Sequence, residues 1–581
     1  MKTALNHQSR IFILFFFPLL FAAIGARAQW STDGAVNTPV AVKEGYQSAS
    51  RIVTDKKGGA IVTWWSYDTD VSNYNIYAQR ISRTGQLLWT EGGVPVSASI
   101  ASTHIPYMTA DGEGGAIIAW FEPRNENKNE NFAQKVNAEG QLMWTVDGVS
   151  MGTTEDFFQQ GSPSITSDSA GGAILAWDDW RGGFEDPHFS VRAQHIGAGG
   201  SIQWEAGGIA LCNTSTTSGH GDPIITSDGN GGAIVTWDHI SGDVSTGNRN
   251  IFAQKVNADG SIAWGSDGLS VCTYEKEQRN PQIVADGIGG AFIAWEDYRN
   301  PNSVSQLYIQ KVNASGQAIW DTDGIPVAES TTSSQLGHKL VSDGEGGVFI
   351  GWDFSSGVSV IQHLNAAGER IWSDNGVSPS GLRESRYIDL ILDGEGGVIT
   401  VWTGTSGDIM AQRVNATGES LWDERGAYIC YAQGNQWEPK LTADDTGGAI
   451  AVWDDYRNVD VNASDIYVQR FSKNGILEQP QDPVEPEGLA EYEAYRSSLM
   501  QNFPNPFKVS TEISYQVEKR GFVSLTVIDL TGKEVAALVS EEKSPGRYSV
   551  CFEAKSLPAG IYLYRLCASG ISETKRMIIG L

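Results

Sequence analysis

One short motif is written eight times along this chain. The string D-x-x-G-G-[AV]-x-x-x-W recurs at a mean spacing of about 56 residues, which predicts an array of similar units that bury their apolar faces against one another. The Asp that opens each copy is Asp55, Asp111, Asp168, Asp228, Asp286, Asp343, Asp393 or Asp444. The Trp that ends each copy is Trp64, Trp120, Trp177, Trp237, Trp295, Trp352, Trp402 or Trp453.

Each copy predicts four short antiparallel strands. The Asp and the two glycines form a tight turn, because Asp caps backbone amides and glycine accepts a positive φ. The stretch that follows, such as residues 116–120, is apolar at every position, which indicates a strand buried on both faces. A Gln followed by a basic residue marks the third strand. A second Trp, present in seven copies, is predicted to lie in the fourth strand, as in residues 141–144.

The two ends of the array complement each other. The eighth copy stops after Gly475 without its second Trp, whereas Trp30 and Gly34 stand before the first copy with the Trp-to-Gly spacing of the others. An N-terminal strand that completes the last unit would leave no open sheet edge. The sequence therefore predicts an all-β fold in which residues 29–475 form an eight-bladed β-propeller closed by the N-terminal strand. The likeness to propeller repeat proteins is one of architecture only. The alternative is an open array in which Trp30 is an accidental match or a cap.

Residues 1–28 are predicted to be a secretory signal peptide. Arg10 belongs to a basic start, residues 11–24 are apolar, and small residues precede a cleavage site between Ala28 and Gln29. The alternative is a membrane anchor, but the apolar stretch is shorter than the ~20 residues that a spanning helix needs. No other segment of the sequence has the composition of a membrane-spanning helix.

The last hundred residues differ in character from the repeats. Residues 476–500 are acidic and proline-rich, which is typical of a semi-extended linker. Residues 501–581 contain alternating apolar and polar runs separated by turn signals, which predict a small Ig-like β-sandwich of about seven strands.

This tail carries an ordered series of motifs. They are Asn502–Phe507, Ile513–Tyr515, Val527–Val535, Leu557–Tyr564 and Lys575–Ile579. In them the tail resembles the C-terminal sorting domain of the type IX secretion system of Bacteroidetes-type bacteria. The resemblance implies passage through the periplasm, recognition by the type IX machinery, and release or attachment at the cell surface. The alternative is an ordinary Ig-like module that only binds a partner.

Charge and cysteine content narrow the function. The net charge of −28 argues against a nucleic-acid partner, because phosphates need a basic face. The five Cys lack C-x-x-C spacing, so zinc and iron–sulfur sites have no support. Whether Cys551 and Cys567 form a disulfide is left open.

The connection between the second and third strands varies most in length, and variable loops on a rigid scaffold commonly carry function. Four of these loops combine an acid with an Arg, and three of them add an aromatic residue. The candidate ligand-binding residues are Arg124, Arg181, Arg299, Arg457, Trp180, Tyr298 and Tyr456. They would grip carboxylates and stack on sugars. The more economical interpretation is that each Arg pairs with acids of its own or a neighbouring unit and orders the loop.

No catalytic motif and no cofactor motif emerges. Asp460, Asn462 and Asp465 supply a cluster of side-chain oxygens of the kind that binds calcium. The sequence therefore predicts a secreted or surface-attached protein that binds glycan or protein ligands. The alternative is a secreted polysaccharide hydrolase or lyase, whose paired carboxylates cannot be matched across units from the sequence.

Overall fold

The chain divides into two compact units between Pro480 and Gln481. The computed structural model describes residues 30–68, 73–97, 105–125, 128–152, 158–181, 188–212, 221, 223–241, 248–300, 304–329, 332–459, 463–477, 498–499, 502, 505, 507–517, 521–543, 546–554, 557–568 and 571–580. We call residues 30–477 the repeat array and residues 498–580 the tail. The predicted signal peptide with its cleavage site, and most of the predicted linker, lie outside the described residues.

The repeat array is all-β and consists of antiparallel sheets, one for each copy of the motif. The first strands are β2 (Gln47–Thr54), β6 (Tyr107–Ala110), β11 (Ser164–Ser167), β15 (Ile224–Ser227), β19 (Gln278–Ala285), β23 (Gln335–Ser342), β26 (Ser385–Leu392) and β30 (Gln436–Ala443). The second strands are β3 (Ala60–Asp68), β7 (Ala116–Asn125), β12 (Ala173–Arg181), β16 (Ala233–Ser241), β20 (Ala291–Asp297), β24 (Val348–Phe354), β27 (Val398–Gly404) and β31 (Ala449–Asp455).

The third strands follow in sequence order, and each fourth strand comes from the same copy except β1, which belongs to the last sheet. The third strands are β4 (Asn73–Ile81), β8 (Lys128–Val136), β13 (His188–Ile196), β17 (Asn248–Val256), β21 (Gln306–Val312), β25 (Val358–Leu364), β28 (Ile409–Val414) and β32 (Asp465–Phe471). The fourth strands are β1 (Thr38–Ala41), β5 (Val94–Pro95), β9 (Val149–Ser150), β14 (Ile209–Ala210), β18 (Leu269–Cys272), β22 (Ile325–Pro326) and β29 (Ala427–Cys430). In the third sheet β10 (Phe158–Gln160) also pairs with β12, and in the sixth sheet a single bridge joins Ile361 to Val377.

The repeated Asp holds the turn between the first and second strands. In the second copy, Asp111 Oδ1 accepts the backbone N–H groups of Glu113 and Gly115, each at 2.8 Å. A Cβ on Gly115 would lie 2.3 Å from the Val136 carbonyl oxygen, so only glycine fits there. The basic residue of the third strand then pairs with the same Asp, as Arg80 does with Asp55 at 2.8 Å.

The second Trp does not lie in the fourth strand, contrary to the prediction. In the second copy, residues 141–144 form a turn with one bridge between Val136 and Leu142, and the fourth strand follows at Val149–Ser150. Sequence spacing alone does not separate the two places, because both are a few residues beyond the third strand.

These tryptophans instead connect each sheet to the next. Each indole N–H donates to a backbone carbonyl in the turn after the next third strand, and each ring covers a Gly of that turn. We call this contact the tryptophan latch. The eight donor–acceptor pairs are Trp30–Arg83, Trp89–Ala138, Trp144–Ala198, Trp204–Ala258, Trp264–Ala314, Trp320–Ala366, Trp372–Ala416 and Trp422–Lys473, at 2.7–3.3 Å.

The N-terminal segment takes the fourth-strand place in the last sheet. β1 pairs with β32, with Thr38 opposite Val468. Gln469 Nε2 donates to the Ser31 carbonyl at 2.7 Å, just as Gln79 Nε2 donates to the Thr90 carbonyl in the first copy. The first strands contact one another in sequence order, and β2 also contacts β30.

The tail is a separate all-β unit with two antiparallel sheets. One sheet has the order β33 (Ser498–Leu499), β34 (Ser510–Val517) and β37 (Gly546–Glu553). The other has the order β36 (Glu534–Lys543), β35 (Gly521–Ile528), β38 (Gly560–Ala568) and β39 (Ile571–Ile579). Both contribute to one apolar cluster that includes Ile513, Leu525 and Tyr564. Cys551 and Cys567 are free thiols.

Candidate ligand-binding site

Five first strands begin with a β-bulge. β2, β19, β23, β26 and β30 each break register against the second strand of their own sheet. One residue in each bulge has a positive φ: Ala49, Asn280, Gly337, Tyr387 and Glu438. Such a bulge turns backbone N–H groups out of the ladder, so that they need another acceptor.

A carboxylate from the preceding sheet accepts these N–H groups at four of the bulges. The carboxylate belongs to the residue directly after the motif Trp. Asp454 accepts the N–H of Ala49 at 2.9 Å and the Ser50 hydroxyl at 2.9 Å, and Asp353 accepts the N–H of Tyr387 at 2.7 Å. The equivalent pairs are Asp238 with Asn280 and Glu296 with Gly337. We call this contact the carboxylate clasp.

Burial makes these carboxyls weaker acids than exposed carboxyls are. Loss of hydration raises the pKa of Asp238, Glu296 and Asp353, and it raises the pKa of Asp454 to about 6. The backbone N–H donors oppose the shift but do not cancel it. The bulges lie at the start of the first strands, and the carboxylates lie near the end of the second strands. The clasps are therefore at the end of each sheet where the second strand leads to the third, which we call the loop end.

The Asp454 clasp predicts a pH dependence of stability. The folded-state pKa of about 6 lies above the ordinary 3.8, so the stability from this group is complete below pH 3.8 and is lost as the pH rises through 6. Relative to Asp454→Asn, which does not ionise, the wild-type unfolding free energy should fall by about 3 kcal/mol more between pH 4 and pH 7. Urea unfolding of both proteins across this range measures the difference. Parallel pH curves would contradict the raised pKa.

A cavity of about 540 Å³ opens among the fourth, fifth and sixth sheets at the loop end. Its lining includes Asp238, Arg249, Glu296, His338 and Lys339. Arg249 forms an ion pair with Asp238. No ion pair to Lys339 occurs among the residues that the structure describes.

His338 contributes a neutral imidazole to this cavity. Burial lowers its pKa to about 4, so the ring is uncharged at pH 7. Its Nε2–H donates to the Ala294 carbonyl at 3.1 Å, which leaves Nδ1 as a hydrogen-bond acceptor. The cavity lining therefore includes an amine together with a buried neutral imidazole and two buried carboxyls.

The predicted arginines that can be described are bound within their own sheets. Arg299 forms a two-pronged ion pair with Asp297, which also accepts the Trp295 indole N–H, and donates to the Asp323 carbonyl. Arg457 repeats the arrangement on Asp455 and also donates to the Ala35 and Val36 carbonyls of the N-terminal segment. This geometry favours the loop-ordering interpretation for both residues, and their role in ligand binding stays a prediction.

The remaining predicted site residues are dispersed over several sheets. Arg124 ends up in β7 and Arg181 in β12, and their side chains lie outside the described part of the chain. Trp180 is half-buried in β12. Tyr298 packs beneath Arg279, and Tyr456 lies with its hydroxyl 3.2 Å from that of Tyr46. Of these five residues, only Tyr298 is near the cavity lining along the chain, because it follows Glu296 by two positions.

Two of the three residues suggested to bind calcium lie outside the described part of the chain. Asp460 and Asn462 lie outside the described residues, and Asp465 accepts a hydrogen bond from Asn458 Nδ2 at 2.8 Å. Within the described ranges, no group of three or more His, Cys, Asp or Glu side chains is placed to hold a metal ion. Calcium at this position therefore stays a prediction.

The cavity and the clasps were not predicted from the sequence. Their signal was the residue after the motif Trp, which is acidic in five copies: Asp178, Asp238, Glu296, Asp353 and Asp454. The bulge itself leaves no comparable pattern, because its positive-φ residue is Ala, Asn, Gly, Tyr or Glu in different copies.

Comparison with known families concerns the tail. Residues 501–580 match the model of the family described as the secretion system C-terminal sorting domain. The tail is a sorting domain. This confirms the resemblance found in its motifs and marks the protein as secreted or attached to the cell surface. Among the described residues, no helix has the length and apolar character needed to cross a membrane.

Solved structures resemble this chain only weakly. A protein of unknown function from Dyadobacter fermentans is 12% identical, with a TM-score of 0.33 over 55% of this chain and 95% of its own. The NanB sialidase from Streptococcus pneumoniae is 11% identical, with a TM-score of 0.32 over 77% and 71%. An endo-arabinase from Bacteroides thetaiotaomicron is 16% identical, with a TM-score of 0.25 over 50% and 98%. These scores are too low to carry an argument about function. A comparison with curated proteins gives no significant match.

Proposed function

We propose that this protein is exported by the type IX machinery and binds a glycan at the cell surface or in the medium. We further propose that its repeat array is an eight-bladed β-propeller closed by the N-terminal segment. Closure is supported by the pairing of β1 with β32, by the Trp30 latch onto the first copy, and by the Asp454 clasp from the last sheet to the first.

The observation that carries the binding function is the 540 Å³ cavity at the loop end. Its volume suits one or two sugar rings, and its lining is rich in hydrogen-bonding groups from three successive sheets. The Lys339 amine supplies a cation for a sugar carboxylate, while Arg249 is already paired with Asp238. An acidic glycan is therefore the ligand class that this cavity fits best.

One observation favours a second candidate function, polysaccharide cleavage. Asp238 and Glu296 line the same cavity, and burial raises the pKa of both. A glycosidase needs one protonated and one ionised carboxyl on either side of the bond it cleaves. Against this role, both carboxyls already accept the backbone N–H groups of bulges, so their orientation serves the contact between sheets.

The test compares Lys339→Met with the wild type on an array of acidic and neutral glycans. Because Lys339 would make a charged hydrogen bond to the ligand, we expect its loss to weaken binding of an acidic glycan by about 10- to 100-fold. The melting temperature should remain unchanged. The matched control, Lys276→Met, removes an exposed lysine outside the cavity and should bind normally.

Two outcomes would overturn this assignment. Unchanged affinity of Lys339→Met would remove the cavity from the binding site. Release of new reducing ends from an acidic polysaccharide by the wild type, lost in Glu296→Gln, would replace binding by cleavage as the function.

A further inference from the structure

A row of six aromatic side chains lies at the loop end where the last sheet meets the first. The rings of Trp65 and Tyr74 stack at 4.0 Å, and Tyr67 lies 4.7 Å from Tyr74. Tyr46 packs edge-on against Trp65 at 6.5 Å, and its hydroxyl is 3.2 Å from that of Tyr456. Trp437 continues the series at 5.1 Å from Tyr456. The aromatic row is thus Trp437, Tyr456, Tyr46, Trp65, Tyr74 and Tyr67.

One end of the row, at Trp437, is open to solvent. All nineteen Trp of the chain are described, and Trp437, at 43%, is the only exposed one. The motif Trp residues are at most 1% exposed. The other five members of the row are half-buried. Water therefore reaches the Trp437 ring, at a cost in free energy that a core position would avoid.

The repeat architecture does not require a Trp at position 437. Trp437 stands opposite Asp454, and the matching positions of other first strands hold Ser48, Arg279, Leu336 and Arg386. Trp65 occupies the position after the motif Trp, where five copies carry an acid. Trp437 is thus specific to this junction, whereas an aromatic residue also follows the motif Trp by three positions in four copies, as Tyr67, Trp180, Tyr298 and Tyr456.

We propose that the aromatic row binds a glycan chain by stacking the faces of its sugar rings. The negative face of an aromatic ring attracts the slightly positive C–H groups on a sugar face, and the exposed Trp437 ring offers such a face at one end of the row. The Tyr46 and Tyr456 hydroxyls bond each other at 3.2 Å, and the Trp437 indole N–H is the donor in the row that can bond a sugar hydroxyl. No hydrogen bond to the Trp437 indole is found within the described residues.

The chemistry of the row sets the class of sugar. Stacking needs no charge on the ligand, and no Lys or Arg ring contact to Trp437, Tyr456 or Tyr46 is found in the part of the chain that the structure describes. The row therefore suits neutral sugar units, in contrast to the Lys339 cavity. This inference rests on the proposal that the ligand is a glycan, but it uses residues of different sheets.

The test is affinity electrophoresis of the full mature chain through gels that contain hydroxyethylcellulose, xyloglucan, laminarin, galactomannan or arabinan. We expect at least one polysaccharide to retard the wild type, and Trp437→Ala to lose at least 10-fold in affinity. Trp437→Phe should retain part of it. The matched control is Tyr428→Ala, which removes an exposed aromatic ring of the outer strand β29 and should migrate as the wild type does.

Failure of this inference and failure of the cavity assignment give different results. Lys339→Met should leave the retardation by neutral polysaccharides unchanged. If Lys339→Met loses binding of a retarding polysaccharide while Trp437→Ala keeps it, the proposal for the aromatic row is overturned and the cavity remains the binding site. If no neutral polysaccharide retards the wild type, the row is overturned as well, whatever acidic glycans do at the cavity.

A second measurement does not depend on how the variants fold. N-bromosuccinimide should oxidise Trp437 first in the wild type, because it alone is exposed, and the bound polysaccharide should protect it. Equal oxidation with and without a polysaccharide that retards the protein would place that ligand elsewhere. Concentration-dependent dimers that Trp437→Ala abolishes, without any retardation, would assign the row to a second copy of the chain and overturn the glycan proposal.

Discussion

Trp30→Ala is expected to lower the free energy of unfolding of the repeat array by about 3–5 kcal/mol, the usual cost of removing a buried Trp. Trp30 is 1% exposed and belongs to one apolar cluster with residues of the first sheet, such as Val62, and of the last sheet, such as Val468. Its indole also closes the latch on the Arg83 carbonyl at 2.7 Å. Deleting residues 29–41 should cost more, because it exposes the edge of β32 and promotes aggregation.

The matched comparison is Trp89→Ala, which removes the equivalent latch between two sheets that are continuous in sequence. If the array is closed, both variants should lose similar stability in urea unfolding, since both open one junction of a ring. A cost below about 1 kcal/mol for Trp30→Ala, beside a large cost for Trp89→Ala, would show that the N-terminal segment is dispensable and the array open.

Deletion of residues 498–581 is expected to abolish appearance of the protein outside the cell. These residues include the segment that matches the sorting-domain family, and they form a unit with its own core. The shortened chain should therefore fold, keep the melting temperature of the repeat array, and remain in the periplasm. Fractionation of a host with an active type IX system measures the distribution.

The complementary experiment attaches residues 481–581 to an unrelated periplasmic protein, which should then leave the cell. Normal export of the shortened chain, together with retention of the fusion, would contradict a sorting role. A shortened chain that also loses its cooperative melting transition would instead indicate that the tail supports folding of the array.

The architecture of the array could be predicted from spacing because each turn imposes a strict chemical demand. Asp111 must cap two N–H groups, and Gly115 has no room for a Cβ, so the motif recurs wherever that turn recurs. For the same reason, the sequence showed that the eighth copy lacks its second Trp and that Trp30 stands unmatched before the first copy. The sequence did not indicate that this Trp acts between sheets, since its acceptor is a backbone carbonyl and carries no side-chain signature.

The candidate site was harder to predict because it depends on backbone shape and on residues far apart in sequence. The cavity is lined by both Asp238 and His338, which are a hundred positions apart in sequence and belong to different sheets. The acid–Arg pattern drew attention to Arg299 and Arg457, which are visible in sequence because their ion pairs are local. An acid and an Arg that are close in sequence therefore indicate an ion pair within a loop more readily than they indicate a ligand-binding surface.

Closure of the ring requires the N-terminal segment to pair with the last sheet, and a disulfide cross-link tests this pairing directly. Thr38 and Val468 are opposite one another in β1 and β32, so cysteines at both positions should link on oxidation. Cys551 and Cys567, the exposed thiols, are replaced by serine to keep the background clean. We predict a linked peptide that joins positions 38 and 468 within a monomer. No linked peptide from the folded, oxidised protein, or one found only between two molecules, would contradict the closed ring.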